Sequence, residues 1–304
     1  MTITSTSAHA HTQKSIPALD ALSTDPILFT QVPALDTVLS KFTSFIDSAA
    51  KTITTADAIK LALASEIFPY LKARFPPGAN SKKGPSASHP LLVKWAHATR
   101  ILSESLPPAQ LFPLADLWRL ALLDDAVGAW CASRTSPTSD PIHVLLGLAL
   151  TPEPPRNYVL TVLRMIANAF ATPALARALL ADGPNGKRKE LTQLLVSSLL
   201  HPDGQVRTAA ASLSFNVAAS VQRGRLEQVR NRKGHVTPST DEDGDWEVEI
   251  VSAVLEALQN EAQSEDIGTS IAVVSEGYAI SSLVPRSTPS DGIARVPFAV
   301  FAGV

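Results

Sequence analysis

The stretch "HPDGQVRTAAASLSFNVAAS" (residues 201–220) decides how the chain is read. Placed at 100° per residue, Val206, Ala210, Leu213, Val217 and Val221 fall within about 80° of one another, the apolar stripe of a helix. Phe215, Ala211 and Ala218 fall near the opposite side. A helix apolar on two faces is buried on two faces. Gln205, Ser212, Asn216 and Arg223 share the remaining narrow strip, and Asp203 stands where an N-cap belongs. Asn216 has two readings. It satisfies a buried backbone carbonyl, or its strip lines a groove.

Two other segments share this character. "FPLADLWRLALL" (112–123) and "NYVLTVLRMIANAF" (157–170) are apolar nearly all round, with polar strips of Asp116 and Arg119, and of Thr161, Arg164 and Asn168. The intervals from Arg119 to Arg164 and from Asn168 to Asn216 match the period of HEAT and armadillo repeats. In such a stack each central helix packs on both neighbours and shows one edge to a concave groove. The expected fold is therefore all-α, an armadillo-like α-solenoid, with Asn216 as one rung of a polar ladder.

Composition agrees. The chain has 304 residues, is 45% hydrophobic and only 6% aromatic, and its apolar share is dominated by Ala and Leu, which favours packed helices. The single Cys131 excludes an internal disulfide framework. No basic-then-apolar leader opens the sequence, and no apolar run approaches the ~20 residues of a membrane span. A cytoplasmic or nuclear protein without membrane association is expected.

Along the chain, residues 1–25 read as a disordered tail. Helical periodicity follows within 25–50 through Leu35, Val38, Leu39, Phe42 and Phe45, and Thr55 and Asp57 could open a second helix through Ile59, Leu61, Leu63, Ile67 and Leu71. Residues 91–106 read as a helix ending before Pro107, and 76–90, 133–141, 151–157, 182–190 and 231–245 as loops. "NGKRKE" (185–190) reads as solvated. Thr172 is an N-cap candidate with Pro173 at the first helical position. From 267 onward the helical period collapses, so the expected division is a tail (1–25), a helical domain (26–266) and an irregular end (267–304).

Charge is uneven. Residues 156–235 carry 12 basic against 4 acidic side chains, whereas 241–266 carry 10 acidic and no basic ones. The basic half suits an acidic partner, or "DEDGDWEVE" (241–249) lies across it and neutralises it.

Together with "WEVEIVSAVLEALQNE" (246–261), the three segments resemble the PUL domain, the C-terminal domain of the phospholipase A-activating-protein family, over about residues 26–266. "VPALDTVLSKFTSFI", "YLKARFPP" and "ATPALARALL" are similar to a fungal branch in which a PUL domain follows a thioredoxin-like domain, although no CxxC is present. The resemblance implies an armadillo-like fold and a binding function. PUL domains hold the acidic C-terminal tail of the AAA ATPase of the ubiquitin–proteasome system (valosin-containing protein) in a basic groove. Arg119, Arg164, Asn168 and Asn216 match family positions, and Ser212 and Arg223 extend the same strip as peptide-binding candidates. Arginine can grip a carboxylate through paired, charge-assisted bonds. Either arginine could instead pair with a carboxylate such as Asp116.

The resemblance also implies further helices after residue 266, one of them bringing a basic residue for the tail. Without them the module would be a structural or regulatory fragment that does not bind. Catalysis is not expected. Cys131 follows Trp130 in a packing context, the histidines lack ligand spacing, and no phosphate-binding glycine motif is present. No cofactor or metal is implied, and a monomer is expected. "RGRLEQVRNRK" (223–233) holds five basic residues but no interleaved aromatics, which argues against nucleic acid.

Overall fold

A computed structural model describes residues 25–76, 84–183, 186–231 and 245–261. Among these the regular structure is helical. The helices are α1 (Leu35–Ser48), α2 (Ala56–Ala62), a π turn (Leu63–Ile67), α3 (Phe68–Arg74), α4 (His89–Ser105), α5 (Pro108–Ala121) and α6 (Asp125–Ala132). They continue with α7 (Pro141–Ala149), α8 (Arg156–Ala169), α9 (Pro173–Leu180), α10 (Arg188–Leu199), α11 (Gly204–Asn231) and α12 (Asp245–Glu261).

The helices form rows. α5, α8 and α11 pack side by side, with α1 against α5. α4, α7, α10 and α12 form a second row, and α6 packs on α9. This is the three-row order of a helical-repeat stack, in which each unit buries its apolar faces only through its neighbours. The first residues of α5, α8 and α11 are Pro108, Arg156 and Gly204, a spacing of 48 residues each time. Leu111, Leu114, Leu117, Trp118, Leu163, Ile166, Leu213 and Val217 are fully buried along this row, as two apolar faces per helix require.

Local signals set the breaks. Asp203 Oδ1 accepts from the amides of Gln205 (3.0 Å) and Val206 (3.1 Å), capping α11 as its sequence position predicts. Asp140 caps α7 through Ile142 N at 2.9 Å, and Pro141 takes the first helical position. Thr172 stands at the N-cap of α9, but its hydroxyl caps nothing and is buried without a hydrogen-bond partner. It faces Gly128 of α6, where a Cβ would come within 2.1 Å of Thr172 Oγ1, so that glycine sets how closely α6 and α9 approach. Between α4 and α5, Trp95 and Trp118 stack at 4.3 Å, and the Trp118 indole donates to Thr99 Oγ1 at 2.9 Å.

The first helix starts at Leu35, where the expected periodicity begins, and residues 25–34 before it are neither helix nor strand. Pro26 and Pro33 explain this, because the residue before proline is pushed out of the helical region. Leu61 lies in α2, as expected, with its side chain 67% exposed. "NGKRKE" is not wholly solvated: the Lys187 side chain is 4% exposed and pairs with Asp140 at 2.7 Å, tying the start of α10 to that of α7. The expected tail (1–25, apart from Asp25), the irregular end (267–304) and residues 241–244 lie outside the described residues. Among the described residues, no single helix is long and apolar enough to cross a membrane.

Candidate functional site: a concave ladder holding an extended segment

The polar strips of α5, α8 and α11 converge on the extended segment that precedes α1. Asn216 is 1% exposed. Its Oδ1 accepts from Ile27 N at 2.6 Å, and its Nδ2 donates to Ile27 O at 2.9 Å. One repeat earlier, Asn168 is fully buried and treats Phe29 the same way, with Oδ1 accepting from Phe29 N (2.7 Å) and Nδ2 donating to Phe29 O (3.0 Å). A primary amide carries one acceptor and two donors, so it can match both backbone groups of a single residue. Alternate residues of an extended chain present those groups to the same side. Consecutive asparagines therefore read Ile27 and Phe29 and skip Leu28.

Arg119 forms the third rung. Its Nε donates to Asp116 Oδ1 at 2.6 Å, Nη1 donates to Phe29 O, and Nη2 donates to Gln31 O at 2.9 Å. The two readings of this arginine are thus both present: it is paired with Asp116, and it grips main chain. The two readings of Asn216 merge likewise, since its Nδ2 also donates to Ala167 O at 3.2 Å.

Arg164 differs. Its guanidinium lies 5.4 Å from the centre of the Phe29 ring, a cation–π contact. Its Nε is buried without a hydrogen-bond partner among the described residues. Burial, and then the neighbouring Arg119 guanidinium, lower its pKa below the usual arginine value, with Asp116 opposing them. Nothing among the described residues forms an ion pair with it.

The remaining candidates separate. Ser212 turns its hydroxyl back to Thr208 O (3.0 Å) rather than toward a rung of the ladder. Arg223 lies about two turns beyond Asn216, at the edge of a shallow depression that Pro26, Phe170, Ala176, Arg177 and Asn216 also line. Arg177 is exposed there and was not singled out by its sequence context. The acidic stretch does meet the basic half: Glu247 takes Arg225 Nη2 on both oxygens (2.7 and 2.6 Å), and Trp246 lies 5.5 Å under Arg188. Cys131 is 1% exposed, and burial pushes its thiol well above the ordinary value, the opposite of what a nucleophile needs.

A repeat stack whose inner helices grip an extended backbone belongs to the class of helical protein-interaction modules. The PUL domain family model matches residues 23–273, and the chain belongs to that family. PUL domains are protein-interaction modules. The match is to the PUL domain itself and does not single out the thioredoxin-linked branch. No curated protein and no solved structure matched the chain.

Proposed function

We propose that this domain is a non-enzymatic adaptor that holds the acidic C-terminal tail of the AAA ATPase of the ubiquitin–proteasome system (valosin-containing protein). The observation that carries the reading is Arg164, a half-buried guanidinium without an ion pair among the described residues. A cation kept beside another cation, Arg119, and away from bulk water gains from an incoming carboxylate. In this reading the tail lies along the segment rather than in its place. Arg119, Asn168 and Asn216 hold the segment as one wall. Arg164, Arg177 and Arg223 face the tail's carboxylates, and the depression beside Pro26 takes part of its apolar surface.

The test is a titration of the chain with a labelled peptide ending in the ATPase's C-terminal residues, beside the same peptide amidated. Saturable binding that is lost on amidation is expected. Arg164→Ala is expected to weaken it by about 1.5–3 kcal/mol, the range for hydrogen bonds to charged groups. Unchanged affinity in a folded Arg164→Ala chain removes Arg164 from the site.

A second reading is favoured by one specific observation, that the ladder is already filled by the chain's own residues. The domain would then be a closed structural or regulatory module, and neither form of the peptide would bind a chain that still melts cooperatively.

A further inference from the structure

The ladder is set independently of what fills it. Asn168 Nδ2 donates to Arg119 O at 2.8 Å, and Asn216 Nδ2 to Ala167 O at 3.2 Å. Each bond runs from one inner helix to the inner helix before it. It fixes the plane of the amide and leaves the carbonyl and the second N–H facing the groove. Asp116 fixes Arg119 in the same manner. Three rungs are therefore oriented by the scaffold, and preorganised groups bind without reorganising.

The segment is only partly covered. No residue from Asp25 to Ala34 is fully buried, and Leu28, Phe29 and Val32 are the partly buried side chains that pack against the core. The hydrogen bonds from Asn216, Asn168 and Arg119 all go to its main-chain atoms, at Ile27, Phe29 and Gln31. The Phe29 side chain lies beneath Arg164 in a cation–π contact. Recognition of this kind specifies an extended backbone, amide hydrogens at two alternate positions, and an aromatic ring at the second of them. It does not specify Ile27, which is 41% exposed, whereas Leu28 packs against the core and calls for an apolar residue.

We infer that the ladder is a receptor for extended peptides in which residues 26–31 are an exchangeable occupant, and that it accepts from a partner protein a segment of the pattern X–apolar–aromatic. The aromatic residue takes the place of Phe29, and proline is excluded at both reading positions because it has no N–H to give to Asn216 or Asn168. The occupant in cis competes at the high effective concentration of a tethered chain. Partner peptides therefore bind in proportion to the fraction of time the segment is away.

The test uses the full chain and a fluorescent peptide with the sequence of residues 25–33, Asp-Pro-Ile-Leu-Phe-Thr-Gln-Val-Pro. Phe29→Ala in the chain loosens the cis occupant without touching a buried residue, and is expected to tighten binding of the unmodified peptide at least about tenfold over the natural chain. N-methylation of the peptide at its Ile or Phe amide should abolish binding, whereas N-methylation at Leu or Thr should be tolerated. Absence of saturable binding to a Phe29→Ala chain that keeps its helical circular dichroism overturns the inference. So does binding that is indifferent to the position of the methyl group. Hydrogen exchange on the natural chain is a second arm. The Ile27 and Phe29 amides should exchange well before those of α8, and exchange only on global unfolding would make the segment a permanent wall. Neither arm involves the ATPase tail, so the result stands apart from tail binding.

Discussion

Around Asp124 and along the concave ladder, the chain buries polar groups in two different ways. Asp124 is fully buried at the N-cap of α6. It accepts from Tyr70 Oη (2.9 Å), from Arg74 Nη2 (3.3 Å) and from the amides of Ala87 and Ala126 (both 3.2 Å). Burial and then the Asp124 carboxylate push the Tyr70 phenol far above its usual value, so it stays a donor. Every partner there belongs to the scaffold, and one carboxylate joins α3, the approach to α4 and α6. At the ladder the polar groups also reach the extended segment, and one cation, Arg164, forms no ion pair among the described residues. The difference separates polar burial that fastens helices together from polar burial that receives a chain.

The comparison can be broken first at Asp124. Asp124→Ala leaves the Arg74 charge, the Tyr70 hydroxyl and two amides without their acceptor, and should cost about 3–5 kcal/mol in urea unfolding, the range for breaking a buried ion pair. A loss comparable to that of a surface charge would mean the knot is not structural. Asn216→Ala is the next largest. It strips partners from Ala167 O and both backbone groups of Ile27, and should cost about 1–3 kcal/mol. The signature that distinguishes a ladder rung is faster exchange at the Ile27 amide with the Phe29 amide less affected. Arg164→Ala sharpens the contrast from the other side. It removes only a partly exposed cation–π contact and should lower stability by about 0.5–1 kcal/mol, so a larger loss would place Arg164 among the fasteners.

The smallest effect is a pH dependence at the start of α11. Arg156 donates to both Asp203 oxygens, at 2.8 and 3.1 Å, and this bond, together with the Val206 and Gln205 amides, lowers the Asp203 pKa from its usual 3.8 against a small opposing cost of burial. A carboxylate depressed in the folded state contributes stability that is present above its unfolded value and is lost as pH falls through the folded value. Exchange protection in the first turn of α11 should therefore hold at neutral pH and fade only below about pH 4. Asp203→Asn should flatten that profile.

The ladder's asparagines were legible because repeats place equivalent residues at equal intervals, and a polar side chain on a doubly buried helix stands out against its neighbours. The Asp203 cap and the Pro173 helix start were legible because they are local. The segment was not. Its bonds use main-chain atoms, which carry no residue signature, and its partners lie 139 and 189 residues away. Only the prolines at 26 and 33 hinted that helix was excluded there. Lys187 was misread for a related reason. In sequence it sits among charges and glycine, and nothing nearby announces Asp140, 47 positions earlier, as its partner.

The 189-residue separation between Ile27 and Asn216 also orders events in time. A ribosome adding about 5–20 residues per second makes Ile27 roughly 10–40 seconds before Asn216. Through that interval the first part of the domain to be made has no seat, while the rungs that will hold it are still being synthesised. A nascent chain is thus born with its N-terminal segment available to whatever else binds extended peptides, and its capture by the finished stack reports that α11 has been completed and packed.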